Sequence, residues 1–145
     1  MPRTLPELTP ENRHVWTSGA TGRLLISQCA ACGYWVHPPG PVCPRCRARG
    51  ITPREVSGRG TVATFTVNHQ PWEPGLTVPY VVAIVELVEQ AGLRLTTNIV
   101  NCPPEQVRIG MPVRLTFVRD EDVYLPMFAP DDGESAGTAV DGTGR

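Results

Sequence analysis

From Thr61 to Phe128 the chain is built of short runs in which apolar residues alternate with polar ones, separated by turn residues. Thr61–His69 (TVATFTVNH) is rich in β-branched residues, and Leu93–Val100 (LRLTTNIV) and Val113–Val118 (VRLTFV) alternate with the period of a strand. Tyr80–Val88 (YVVAIVELV) is nearly continuously apolar and reads as a further strand, and Val123–Phe128 (VYLPMF) as the last. Glu89–Gly92 fits a hairpin loop, and Ile109-Gly110-Met111-Pro112 a turn. Five strands at this spacing predict a small closed or partly closed barrel. The five-stranded OB barrel is the leading answer, and an SH3-like barrel competes with it.

The first sixty residues follow a different pattern. Thr9-Pro10-Glu11 offers a helix N-cap, a proline at the first helical position and an acid in the first turn. Val15 and Trp16 give this short helix a small apolar face, and Gly19 is expected to end it. So short a helix is unstable alone, so its face must dock on its own domain or on another subunit. Leu24-Leu25-Ile26 reads as a strand feeding into Cys29, and a polar, arginine-rich connector runs from Cys46 to Ser57. The Gly/Ser/Asp-rich end is expected to be disordered. The expected organisation is a mostly β chain: a helical segment 1–22, a metal-binding ribbon 23–56, an OB-fold barrel 57–130 and a tail 131–145.

Composition adds a compartment. With 41% hydrophobic and 19% charged residues, the balance is that of a soluble protein without a bilayer-length apolar run. The N-terminus lacks the apolar stretch of a secretory signal, so a cytoplasmic location is expected. Thiols there stay reduced, and paired cysteines more often bind metal than form disulfides.

That matters for residues 29–46, CAACGYWVHPPGPVCPRC, where two Cys-x-x-Cys pairs are separated by ten residues. Each pair delivers two sulfurs to one point, with Gly33 and Pro44 helping to form tight knuckle turns. Cys29, Cys32, Cys43 and Cys46 together make the ligand set of a structural zinc ribbon of the rubredoxin-like kind. Four thiolates leave no open coordination position, which argues against catalysis by the metal. Iron would also fit four thiolates. His37 lies between the knuckles and reads as a surface or supporting residue. The lone Cys102, before Pro103-Pro104, reads as structural or incidental.

Charge is unevenly spread. Between Asn12 and Trp72 stand the arginines 13, 23, 45, 47, 49, 54 and 59 against the single acid Glu55, and the chain has no lysine. Arginine suits bidentate recognition of phosphate or carboxylate. A solvated surface would show the same composition.

The ordered set of motifs resembles a known family. Gly19-x-x-Gly22-x-Leu24, Gln28, Cys29-x-x-Cys32-Gly33, Pro38-Pro39 and Cys43-Pro44-x-Cys46 come first. Ser57-Gly58-Arg59-Gly60, His69, Pro79-Tyr80-Val81-Val82-Ala83 and Val85-Glu86-Leu87 follow. Asn98, Ile109-Gly110-Met111-Pro112-Val113 and Pro126-Met127-Phe128 complete the series, over about residues 10–130. This is similar to the thiolase-associated proteins that join a rubredoxin-like zinc ribbon to an OB fold. The resemblance implies a non-catalytic subunit of a hetero-oligomer whose thiolase-fold partner, an aldolase or thiolase, acts on acyl-CoA thioesters. It further implies retro-aldol cleavage of a β-hydroxyacyl-CoA in steroid side-chain degradation, with a hydratase domain sometimes fused to the module. An acyl-CoA thiolase of another catabolic or ketone pathway is the neighbouring alternative. Two features depart from the family pattern: Ile51-Thr52-Pro53 stands where an aromatic residue is usual, and Glu89-Gln90-Ala91-Gly92 is longer than the usual acid-Gly turn.

Within that frame Arg45, Arg47, Arg49 and Arg59 are the candidates for CoA phosphates. Phe65, Trp72 and Tyr80 are candidates for the acyl or pantetheine path. Trp16, Tyr34 and Trp35 are candidates for partner contact, the last two expected at an exposed ribbon tip with Pro38-Pro39. No nucleophile elbow, His-Glu-x-x-His or glycine-rich phosphate loop is found. His69 reads as a loop residue, and Glu86 as a solvent-facing strand residue or a partner of Arg94. Nucleic-acid binding, which OB folds and zinc ribbons perform elsewhere, would need a basic groove with stacking aromatics, and is the weaker alternative.

Overall fold

The computed structural model describes residues 5–72 and 77–131. Of the tail expected over 131–145, Asp131 is described and donates its N–H to the Pro112 carbonyl at 3.0 Å, and residues 132–145 lie outside the described residues.

The five barrel strands form where the sequence reading placed them: β4 (Arg59–Asn68), β5 (Tyr80–Leu87), β6 (Arg94–Ile99), β7 (Pro112–Asp120) and β8 (Val123–Pro130). They close in the order β4-β5-β6-β8-β7, the five-stranded closure expected of an OB barrel. The pairings are antiparallel except for β6 with β8, which meet in parallel at Ile99 and Phe128. β5 is buried at every second residue despite its apolar composition. Val81, Ala83, Val85 and Leu87 fill the interior, while Val82 and Ile84 stay half-buried on the outer face.

The ribbon sheet has the order β2-β1-β3, with β1 Leu24–Cys29, β2 Trp35–Val36 and β3 Ile51–Val56. β3 corrects the sequence reading of these residues as a connector. Its six residues pair with all of β1, from Cys29 opposite Ile51 to Leu24 opposite Val56. The missed signal has a physical cause: β3 is an edge strand that buries only Val56 fully, so it shows no alternation, and Pro53 is tolerated at an edge.

The helix α1 is Arg13–Thr17, one turn later than expected. Thr9 does start the structure: its Oγ1 accepts from the N–H of Asn12 (3.2 Å) and its N–H donates to Asn12 Oδ1 (2.8 Å). Those reciprocal bonds form the geometry of a capping box. Gly19 does not end the helix; Gly22, left-handed at φ 78°, closes the following 3-10 turn. Gly19 is instead needed for contact, since a Cβ there would lie 2.5 Å from Tyr124 Cβ and 2.8 Å from Phe117 Cδ1.

The face of α1 docks on its own chain. Val15 is fully buried in one cluster with Leu24, Ile26 and Val56 of the ribbon and with the barrel interior. Trp16 bridges that cluster to a second one, where Leu5 and Leu8 cover Val123, Leu125 and Met127 on β8. Ribbon and barrel therefore share one apolar core. Among the described residues no helix is long and apolar enough to cross a membrane.

Candidate metal centre and the surfaces around it

The four ribbon cysteines converge. Their sulfurs all lie within 4.8 Å of one another. Cys29 and Cys46 are 3.6 Å apart, and Cys32 and Cys43 3.8 Å apart. A tetrahedral ion with metal–sulfur bonds of about 2.3 Å separates its ligands by roughly 3.8 Å, so these residues fit zinc or iron as they stand. The spacing is far too long for a disulfide, whose sulfurs lie about 2.05 Å apart. Cys29 and Cys43 are buried and Cys32 and Cys46 exposed, so one edge of the site faces the protein and the other faces water.

The two knuckles are built alike. After the first pair, Gly33 N–H donates to the carbonyl of Cys29 (2.9 Å) and Cys29 N–H to that of Tyr34 (2.8 Å). After the second, Arg47 N–H donates to Cys43 (2.8 Å) and Cys43 N–H to Ala48 (2.9 Å). Gly33 and Arg47 occupy equivalent left-handed positions, at φ 82° and 69°. Glycine takes that conformation freely, whereas arginine is strained there. The N–H groups of Arg45 and Cys46 point at Cys43 Sγ, at 3.3 and 3.4 Å. Burial alone would raise this thiol's pKa, but the N–H groups of Cys46 and Arg45 outweigh it and hold it down at about 6. Cys29 is lowered as well, chiefly by the N–H of Cys32. The N–H groups thus favour the thiolate form at Cys43 and Cys29, whereas at Cys46 the N–H of Ala48 is outweighed by the neighbouring thiols, Cys29 first, which push the pKa up to about 11.

Of the four arginine candidates, Arg45, Arg47 and Arg49 are exposed on the second knuckle, and Arg45 lies over the Tyr34 ring at 5.7 Å. Arg59 begins β4, beyond the six residues of β3, which span roughly 20 Å. The four therefore do not form one cluster. Arg23 pairs with Glu55 at 3.3 Å.

The three residues proposed for a substrate path are also separated. Phe65 pairs with Ala83 and points into the barrel, half-buried. Tyr80 lies on the opposite, outer face, and its hydroxyl accepts from Asn68 Nδ2 at 2.8 Å. Trp72 is 70% exposed. Glu86 sits half-buried on the outer face and accepts from Arg94 Nε at 3.1 Å, the pairing held open as one reading. His69 is an exposed residue after β4.

Nor do Tyr34 and Trp35 form an exposed tip. Both are half-buried, and Trp35 packs against the shared core. Its backbone is clamped by Gln90 of the β5–β6 loop: Trp35 N–H donates to Oε1 (2.9 Å), and Nε2 donates to the Trp35 carbonyl (3.0 Å). Glu89 takes the N–H of Ser57 in the same loop. The longer hairpin is thus the joint between ribbon and barrel. Sequence reasoning missed this role because the partners lie 55 residues apart.

A second group unanticipated from sequence lies where α1 crosses the ribbon. His14 Nε2 is 3.1 Å from Ser27 Oγ, a hydroxyl buried on β1. His37 follows β2, and burial lowers the pKa of both imidazoles. Beside it a cleft of about 620 Å³ opens between α1, the ribbon and strands β6 and β8.

Comparison with known proteins agrees with this geometry. Residues 16–52 match the family described as the ChsH2 rubredoxin-like zinc ribbon domain, and residues 53–118 the ChsH2 C-terminal OB-fold domain. The chain is 41% identical over 129 residues to a probable enoyl-CoA hydratase alpha subunit of Thermomonospora curvata. It is 38% identical over 127 residues to the 3-oxo-4,17-pregnadiene-20-carboxyl-CoA hydratase alpha subunit of Mycobacterium tuberculosis. Each alignment takes in 88% of this chain but 40% of the relative, so the chain spans well under half the length of those proteins. A DUF35 domain-containing scaffold protein of Methanothermobacter thermautotrophicus is 39% identical over 99 residues, 66% of this chain and 73% of that protein. Among solved structures, a chain of the Ltp2-ChsH2(DUF35) aldolase superposes with a TM-score of 0.79 at 40% identity, over 87% of this chain and 98% of that one.

Proposed function

Since this chain belongs to the DUF35 family, with a ChsH2-type zinc ribbon and OB fold, we propose that it is an accessory subunit of a thiolase-fold aldolase acting on acyl-CoA thioesters in steroid side-chain degradation. The observation that carries this reading is the likeness to the Ltp2-ChsH2(DUF35) aldolase, which extends over nearly the whole of that chain. The steroid-acyl-CoA name of the mycobacterial relative supports the substrate class. The closed set of four thiolates supports a structural metal, because it leaves no position for substrate. In this reading the bond-breaking groups belong to the partner, and the ribbon–barrel unit completes the assembly.

Arg45, Arg47 and Arg49 are the remaining proposal for contact with CoA phosphates. They are exposed, close in sequence and held on one metal-braced turn, and guanidinium groups match phosphate geometry. Arg59 has no part in such a patch.

A second reading has its own support: the hydratase alpha subunits in which equivalent residues are one segment of a longer protein. Co-expression separates the two. The chain is expected to elute from a sizing column with a thiolase-fold aldolase and to raise its retro-aldol rate. Assembly with a hydratase alone, and an aldolase fully active without this chain, would favour the second reading.

A further inference from the structure

We infer that the cleft between α1, the ribbon and strands β6 and β8 is a binding site for a rigid, apolar ring system, such as the acyl body of a steroid thioester. Its volume, about 620 Å³, falls within the range of about 300–1,000 Å³ usual for small-ligand sites. Its walls differ in kind. Leu5, Pro6, Trp16 and Pro38 supply an apolar side over the buried Val15, Leu125 and Met127, while the outer face of β6 supplies Thr96 and Asn98 with Arg94 at one end. Such a division suits a flat hydrocarbon body carrying an oxygen function at an edge. Arg94 keeps donors to spare, because Glu86 engages only its Nε.

One further observation points to a ligand, and a second to its stiffness. Among the described residues, two buried side-chain polar atoms lack a hydrogen-bond partner, and one is Nδ1 of His37, a residue of the cleft wall. An orphaned polar atom in a wall calls for an explanation, and an occupant that reorders the wall supplies one. Second, the floor is already satisfied: Thr97 donates to the Pro126 carbonyl at 2.8 Å, and Asn98 Nδ2 to the Val81 carbonyl at 2.8 Å. The first bond ties β6 to β8 and the second ties β6 to β5, and a stiff pocket favours a stiff ligand over a flexible chain that must lose rotamer freedom. The site is distinct from Phe65, Trp72 and Tyr80, none of which lines the cleft.

The choice of steroid chemistry rests on the aldolase-subunit reading; the existence of the site does not. The test uses the full zinc-loaded chain and three probes: cholate below its micellar concentration, palmitate and free coenzyme A. Saturation-transfer NMR and tryptophan fluorescence report binding. Cholate is expected to bind saturably and to perturb fluorescence through Trp16, with the change lost in Trp16→Phe. Thr96→Trp fills the cleft from an exposed strand position, and is expected to weaken cholate by roughly tenfold or more with the melting temperature kept. Coenzyme A is expected not to compete. No saturable cholate binding, equal binding by Thr96→Trp, or palmitate binding as tightly as cholate would each overturn the inference. Assembly with an aldolase is measured separately. Cleft-dependent cholate binding without assembly would sink the subunit reading alone, and assembly without binding would sink this one alone.

Discussion

The ribbon's sheet consists of β1 and β3, six residues each, and the two residues of β2. It buries Leu24, Ile26, Val36 and Val56, and two of its metal ligands are fully buried with them. The barrel has strands of up to ten residues, closes on itself, and encloses Val62, Val81, Val85, Leu95, Val113 and Phe128. One region carries a four-thiolate ligand set for an ion, and the other is held mainly by area removed from water. A structural zinc centre supplies about 10–16 kcal/mol in small peptides, more than so small a sheet can obtain from its own core. The ribbon therefore depends on its metal, whereas the barrel closes through its own strand pairings, with the ribbon and α1 packed into the core they share.

The sharpest break in that comparison is loss of a ligand. Cys43→Ser removes the sulfur that collects two N–H bonds, and is expected to take bound zinc from one equivalent to none. The ribbon amides should then exchange freely while the interior strands β4 and β5 keep their protection. Metal analysis and hydrogen exchange read both, and equal loss of protection in the barrel would contradict the separation. Next in size, Phe128→Ala empties the fully buried centre of the barrel and is expected to cost about 3–5 kcal/mol in denaturant unfolding. Zinc stoichiometry should stay at one.

The joint between the regions is worth less. Gln90→Ala strips both bonds from the Trp35 backbone, leaving a half-buried N–H and carbonyl unpaired, at about 1–3 kcal/mol. The visible consequence should be faster exchange at Trp35. The smallest effect is one of pH. Burial holds His14 and His37 below the usual histidine range. The unfolded chain therefore binds protons first, and stability falls as pH drops below about 6.5 toward the lower folded values. His14→Gln is expected to flatten that slope, as followed by thermal melts at constant zinc.

The same contrast explains what was legible. The barrel was readable because a strand with one buried face must alternate, and because Gly and Pro mark its turns. All five strands were read from the chain, and their number and spacing predicted a closed or partly closed barrel, which the structure shows closed. The metal ligands were readable because two knuckles need fixed spacing. What escaped reading depends on distant partners: β3 carries no periodicity of its own, Gln90 clamps a strand 55 residues away, and Trp35 is covered by the barrel. Arg47 escaped for another reason, since its left-handed backbone is set by the thiolate-centred turn and not by its residue type. The cleft is assembled from four elements, so no local stretch could announce it.

The proposal that this chain works as the subunit of a thiolase-fold aldolase is tested most directly by co-purification. Expressed together, the zinc-loaded chain and the aldolase should elute as one hetero-oligomer. Retro-aldol cleavage of a steroid acyl-CoA should depend on both, and the Cys43→Ser chain should fail to assemble. Separate elution of the two proteins, with full activity in the aldolase alone, would contradict it.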